Sequence, residues 1–363
     1  MNRKFFILNY VITFLVTIGA VVFVVLFFNN KYSLSFWNVV GFYTLGLLVS
    51  SFICALLHEF GHLVFGKVKG FILSSFSVWF LRWDNSCKKL RFSLRFLFEE
   101  AGSTEMIKKD VSGMEKGLKF MTVGGLIFSL VSAMISLPVF IISVPYQVYC
   151  VLAVFLPVGL YFFVGNAIPS SEGRVRNDGG VLYGLKKGDN ETKVTLSLLS
   201  IQTELFNGKT FSEIDGKYYF EVPQLPEDSL NFITLLTYRY NYYLDVKDYE
   251  NAKKTTSRLL TLEEYMPKSF KYVVKSDALY NACTFNLNEE VADDLTYEIE
   301  DVLNKDESVT SYRVRLAYIA LIKGERQILE AFYNKAIKRA NKCQLSGLKR
   351  FEIKLINELY SNF

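Results

Sequence analysis

Histidine is almost absent from this chain: 363 residues contain two. Cysteine is sparse as well. Its five copies, Cys54, Cys87, Cys150, Cys283 and Cys343, show none of the paired spacing of a zinc ribbon or a disulfide-stapled fold. Charge is missing from long stretches rather than from the whole. No Asp, Glu, Lys or Arg falls between Phe5 and Phe28, Ser33 and Leu57, Phe120 and Ser143, or Tyr146 and Ile168. A strong excess of either sign is lacking too, since the net charge is +5. The polar half has no basic patch interleaved with aromatic residues, so nothing points to a nucleic-acid partner.

What the uncharged runs contain is apolar sequence. A helix needs about 20 such residues to cross a bilayer, so each run is long enough for one span. The expected spans cover residues 5–28, 36–65, 120–143 and 146–168. After Lys186 the sequence turns to charged, amphipathic, helix-forming segments. The expected fold is mainly α: a polytopic membrane domain over residues 1–188, then a soluble helical domain over residues 189–363. The first run is too long for a signal-peptide core and no small-residue cleavage pattern follows it, which makes it a retained span.

Lys and Arg counts orient the spans. Arg3 and Lys4 precede the first, and only Lys31 follows it. The loop after the second carries Lys67, Lys69, Arg82, Lys88, Lys89, Arg91 and Arg95. The turn between the last two has no charge, and Arg174, Arg176, Lys186 and Lys187 follow the fourth. The positive-inside rule then puts both termini in the cytosol of a multi-pass cell-membrane protein, with a bacterial plasma membrane favoured because no presequence or retention signal is evident. Cys87, Cys283 and Cys343 face a reducing compartment in that arrangement.

Both histidines lie at the end of the second run, in His58-Glu59-Phe60-Gly61-His62. A separation of four places both imidazoles on one helix face, a turn apart, beside a carboxylate. An ionisable group in a membrane helix costs roughly 2.5 to 3.5 kcal/mol, and metal coordination is an interaction strong enough to offset it. Two neutral imidazoles hold zinc at about 2.0 to 2.1 Å each, and a catalytic zinc keeps a position open for water. Glu59 is placed to take that water's proton and to pass it to a leaving amine. Gly61 leaves one side of the helix bare for close approach. Cys54 falls on the same face one turn earlier, where a small buried thiol is the simpler reading.

Two histidines and a water leave a tetrahedral zinc one ligand short. A carboxylate at the same depth is required. The second and fourth spans run in the same direction, and the fourth is followed by Asn166-Ala-Ile-Pro169 and then Asn177-Asp178-Gly179-Gly180. Asp178 arrives on the correct side. Glu172, in the eight residues between Pro169 and Asp178, is the competing candidate.

With these residues in place, the chain resembles the site-2 protease family of intramembrane zinc metalloproteases. Three ordered blocks carry the resemblance across residues 36–185, about two-fifths of the chain. They are His58-Glu59-Phe60-Gly61-His62, then Thr122-Val-Gly124-Gly125-Leu126-Ile127-Phe128-Ser129-Leu130, then Asn166-Ala-Ile-Pro169 with Asp178-Gly179-Gly180. The second is similar to the family's Gly-Gly-Pro and Asn stretch, with Leu126 in place of proline and Ser129 in place of asparagine. The third is similar to Asn-x-x-Pro followed by Asp-Gly, with a longer and more polar separation than the family uses. The resemblance implies that His58, His62 and Asp178 bind zinc, that Glu59 is the general base, and that Asn166 holds the substrate backbone or the developing oxyanion. Asn166 on its own chemistry also suits an interhelical hydrogen bond.

Between the second and third spans, Ser74 to Trp83 and Lys89 to Phe98 alternate apolar with polar residues, predicting a hairpin turned at Asp84-Asn85. A hairpin at the membrane surface is suited to pair with an unwound substrate strand, or to serve as an interfacial anchor through Trp79 and Trp83. Beyond it, Glu191 to Phe206 predicts a helix and Tyr218 to Val222 an extended stretch. Second helices of a helical-hairpin repeat are expected to begin at Asp248, Asn288 and Gly324, spaced by 40 and 36 residues. Asp248-Tyr249-Glu250-Asn251-Ala252 resembles the start of a tetratricopeptide second helix, which implies a surface for a protein partner. The expected function is a zinc metalloendopeptidase that cuts a transmembrane or membrane-bound peptide or protein among lipids. The alternative is an inactive relative that acts as a receptor or scaffold through its helical domain.

Overall fold

The computed structural model describes residues 3–84, 89–92, 101–172 and 175–361. The chain divides into two compact units, Met1–Lys108 with Ser112–Asp189, and Lys109–Val111 with Asn190–Phe363. Most of both is helical.

The uncharged runs fold as helices, the conformation that satisfies every backbone N–H and C=O within one segment of apolar chain. Helix α1 covers Arg3–Lys31 and α2 covers Phe36–Val68. The third run is α3 (Met114–Met134) and the short α4 (Leu137–Ile141), which carries Pro138 in its first turn. The fourth is α5 (Tyr146–Ala153) and α6 (Phe155–Ala167). Its break at Val154 follows from Pro157, which has no N–H to offer the carbonyl of Ala153. Among the described residues, four helical segments are long and apolar enough to cross a membrane: Phe5–Lys31, Val39–Val68, Met114–Ile141 and Tyr146–Ala167.

Helices α2 and α3 make the most extensive helix contact of this unit, and glycine permits it. A methyl on Gly61 would fall 2.3 Å from the Gly124 carbonyl oxygen, and one on Gly124 would fall 2.4 Å from that of Gly61. Backbones this close need small residues on both sides. The contact lies inside the His58–His62 turn, so it also sets where the imidazoles sit.

Between α2 and α3 lies an antiparallel sheet of β1 (Phe71–Val78), β2 (Leu81–Asp84), β3 (Lys89–Phe92) and β4 (Gly102–Lys108), in the order β3-β2-β1-β4. The sheet differs from the expected hairpin. The first reversal is at Trp79 and Phe80, with Val78 opposite Leu81, and Trp79 takes the left-handed φ of 49°. Apolar alternation runs through Phe76, Val78 and Phe80 without a pause, so nothing in the pattern marks that turn. Asn85 of the expected turn and the stretch from Ser93 to Phe98 lie outside the described residues. After α6 the chain forms a two-stranded ladder, β5 (Ser171–Glu172) with β6 (Val175–Arg176), and enters α7 (Asp178–Lys187).

The second unit begins with α8 (Asn190–Phe206), a 3-10 turn at Phe211–Glu213 and the short α9 (Lys217–Phe220). The stretch expected to be extended, Tyr218 to Val222, is largely this helical turn. The Tyr219 ring is fully buried, and the carbonyls of Tyr218 and Tyr219 accept hydrogen bonds from Ser197 Oγ and Arg239 Nε. These carbonyls therefore need no strand partner. Three consecutive helix pairs follow: α10 (Leu230–Asp245) with α11 (Tyr249–Thr261), α12 (Lys268–Thr284) with α13 (Glu289–Leu303), and α14 (Val309–Ala317) with α15 (Arg326–Ala340). Asp248 and Asn288 cap α11 and α13, accepting from the N–H groups of Asn251 and Val291. Gly324, with φ 64°, ends a π-helical turn ahead of α15. Helix α16 (Ser346–Ser361) closes the unit.

Candidate metal centre

Helix periodicity brings His58 and His62 to one face of α2, with ring planes 87° apart. Their Nε2 atoms are 3.2 Å from each other. Asp178, the first residue of α7, brings Oδ2 to 3.5 Å from both. Among the described residues this is the one group of three His, Cys, Asp or Glu side chains close enough to share an ion. A tetrahedral zinc with bonds of about 2.0 to 2.1 Å spaces its ligand atoms about 3.3 Å apart. The observed triangle has those dimensions.

The far sides of the rings are held as well. His62 Nδ1 lies 3.1 Å from the Met121 carbonyl oxygen, which can only accept, so Nδ1 carries the proton and Nε2 presents a lone pair. His58 Nδ1 lies 2.8 Å from Ser129 Oγ on α3. Ring orientation of this kind by an outer partner is typical of metal-binding histidines. Gly125 supplies room, since a methyl there would fall 2.4 Å from His62 Nε2.

Asp178 tests whether the residues fit an ion. Its Oδ2 is buried and accepts no hydrogen bond. At 3.5 Å the imidazoles are near enough for charge attraction and too far for a good hydrogen bond. Burial pushes the carboxyl up to about 8. A buried carboxyl oxygen converging with two imidazole nitrogens is a donor set suited to a divalent cation. His58, His62 and Asp178 thus fit a divalent ion of zinc's size and ligand preference.

The other expected residues are placed as follows. Glu59 is buried, its Oε2 accepting from Thr104 Oγ1 at 2.7 Å. The same hydroxyl lies 3.1 Å from the Glu59 carbonyl oxygen. Strand β4 thus covers the glutamate, and Gly102 at its start makes space, because a methyl there would fall 2.7 Å from Glu59 Cγ. Asn166, near the end of α6, donates from Nδ2 to the Phe162 carbonyl at 2.9 Å within its own helix. Glu172 falls in β5, and its side chain lies outside the described residues. Cys54 is buried one turn before His58 and is not part of the triad.

Several residues that hold this arrangement were not singled out from the sequence as site residues. Thr104 drew no reading of its own, and Ser129 entered only as a substitution in a glycine-rich stretch. Asn177 caps α7, accepting from the Gly180 N–H, and also accepts from the Ser170 N–H. Arg176 beside it forms a two-point pair with Asp189 at 3.1 and 2.9 Å. Asn9 and Thr13, polar residues four apart in the first uncharged run, are buried and carried the one available signal. Comparison of the chain with protein-family models, with curated proteins and with solved structures finds no match.

Proposed function

We propose that this chain is an intramembrane zinc metalloprotease of the site-2 protease kind, hydrolysing a peptide bond in or beside a membrane-spanning segment. The observation that carries the reading is the triangle of His58 Nε2, His62 Nε2 and Asp178 Oδ2, with edges of 3.2, 3.5 and 3.5 Å, next to a buried glutamate. Zinc held there supplies Lewis-acid activation of a water molecule at near-neutral pH. Glu59 takes the proton and delivers it to the leaving amine nitrogen. The Thr104 hydroxyl donates to Glu59 Oε2 and so orients the carboxylate for that transfer. Asn166 uses one amide hydrogen on Phe162 and has a second for the substrate carbonyl. Strand β4 is an outer strand of the sheet and begins beside Glu59, so an unwound substrate pairs with its edge and is presented extended. Both termini are cytosolic in this reading. The paired helices of the second unit act as a tetratricopeptide-like repeat that recruits the substrate or another protein partner.

The test compares membranes from cells that carry the wild-type chain or Glu59→Gln. The variant is expected to keep near-stoichiometric zinc and to lose about 10²- to 10⁴-fold in cleavage, seen as accumulation of intact substrate by comparative proteomics. Equal cleavage by both proteins refutes the assignment. Purified wild-type protein without zinc supports the receptor or scaffold alternative instead.

A further inference from the structure

The first uncharged run is commonly no more than an anchor, yet here it carries a buried amide aimed at the far end of α6. Asn9 Nδ2 donates to the carbonyl oxygens of Gly165 at 2.8 Å and Ile168 at 2.6 Å. Asn177 Nδ2 donates to the same two oxygens, at 2.7 and 2.8 Å. Two amides from opposite ends of the unit's sequence therefore share two acceptors. Thr13 Oγ1 donates to Asn9 Oδ1 at 3.3 Å, which fixes which end of the amide faces α6.

The acceptors need outside donors for a definite reason. Continued as a helix, Gly165 would bond to the N–H of residue 169, which is Pro169 and has none. Ile168 is already extended, at ψ 125°, so its carbonyl has left the helix as well. Unpaired carbonyls among apolar side chains are costly. Asn9 and Asn177 satisfy them and in doing so tie α1, the end of α6 and the start of α7 into one turn. Asp178 is the next residue after Asn177.

We propose that Asn9 is a positioning residue of the metal centre: through the Gly165 and Ile168 carbonyls it braces Asn177, and so holds the Asp178 carboxylate in reach of His58 and His62. This rests on the metal-centre reading above and adds α1 to the structure of the site. Removal of the Asn9 amide leaves every first ligand in place and lets the turn that presents Asp178 relax. Removing a group bonded directly to a metal ligand costs about 10- to 100-fold in affinity, and Asn9 acts further out, so a loss of up to about 10-fold follows.

The experiment uses full-length protein in detergent, stripped of metal and titrated with Co2+, whose visible absorption reports both affinity and coordination geometry. Asn9→Leu is expected to bind Co2+ more weakly, by up to about 10-fold, with a band of altered position or intensity. Asn9→Gln, which keeps the donor group on a longer arm, is expected to recover part of the loss. Thr17→Val is the control: Thr17 lies on the same helix, and its hydroxyl has no hydrogen-bond partner. It is expected to match the wild type, so an equal loss there overturns the proposal by showing that any packing change in α1 suffices. If Asn9→Leu does not fold, Asn9→Ser replaces it, with the same expected weakening. Wild-type affinity and spectrum in the folded Asn9 variant overturn the proposal and leave the metal centre standing. Failure of the wild-type protein to bind Co2+ overturns both.

Discussion

Each unit buries a cluster of ionisable side chains, and the two are built differently. In the first, Asp178 Oδ2 has two imidazole nitrogens at 3.5 Å and no hydrogen-bond donor. In the second, Glu352 Oε2 accepts from Arg313 Nε at 2.7 Å, and its Oε1 accepts from Thr310 at 2.8 Å. Asp277 lies 3.9 Å from the same guanidinium, which also rests 4.0 Å above the Tyr280 ring. All three charged residues of that cluster are almost fully buried. The second cluster thus contains its own cation, carried on α14. The first contains imidazole nitrogens and a carboxyl oxygen pointed at a common centre, with no cationic side chain in the group. The second is the more deeply buried, with side chains 1 to 4% exposed against 9 to 15% in the first. The presence or absence of a cationic member separates the two clusters, and the first is the one that could hold a metal ion.

The comparison breaks most readily at Arg313. Arg313→Met leaves Glu352 buried without its partner and is expected to destabilise the second unit by about 3 to 5 kcal/mol. Hydrogen exchange of the α12, α14 and α16 amides reads the loss, and Arg313→Met with Glu352→Leu is expected to restore much of it, because no charge is then left unpaired. An unchanged exchange pattern in the single variant would mean that the cluster is not holding the unit together.

A pH effect of intermediate size is expected at Asp277. Burial pushes its carboxyl up to about 7, against the opposing pull of the Arg313 guanidinium. Between 3.8 and about 7 the folded state holds a proton that the unfolded chain has released. Stability from this group is therefore full at acid pH and declines as pH rises through that window. Asp277→Asn is expected to flatten the dependence, measured as a smaller change in urea midpoint across the same pH range. A dependence as steep as that of the wild type would assign it to other groups.

At the first cluster the corresponding cut is Ser129→Ala, which removes the hydroxyl beside His58 Nδ1 and is expected to weaken zinc binding about 10- to 100-fold in a chelator competition. No change would show that the ring is held by packing alone. The smallest effect is expected where charge is exposed. Lys305 and Asp301 form a 3.9 Å pair with side chains 80% and 99% accessible. Lys305→Ala should alter stability by less than about 0.5 kcal/mol, which marks the contrast with Arg313.

Much of the architecture was legible because it is local. Uncharged runs of sufficient length have one low-cost backbone solution, and a helix puts positions 58 and 62 on one face whatever surrounds it. Helix starts at Asp248 and Asn288 were readable from side chains that can cap. The sheet was harder. The turn at Trp79 interrupts a continuous alternation, and the bulge between Leu73 and Ser75 shifts the register of β1 on β4. The helical turn at Lys217–Phe220 was hidden because three adjacent aromatic residues read as a strand until Ser197 and Arg239 are seen to take up their carbonyls.

By itself, then, the sequence determined the four apolar helices, the shared face of the two histidines and the neighbouring glutamate, all consequences of backbone geometry over a few turns. The sequence also offered Asp178 and Glu172 as carboxylates for those histidines, and the fold brings Asp178 to them. Tertiary structure alone decided that Thr104 covers Glu59, that Asn9 reaches across to the end of α6, and that Arg313 lies buried between two carboxyl groups. Those pairings join residues far apart in the chain. They exist because buried polar groups must find partners, and only packing decides which partners come within reach.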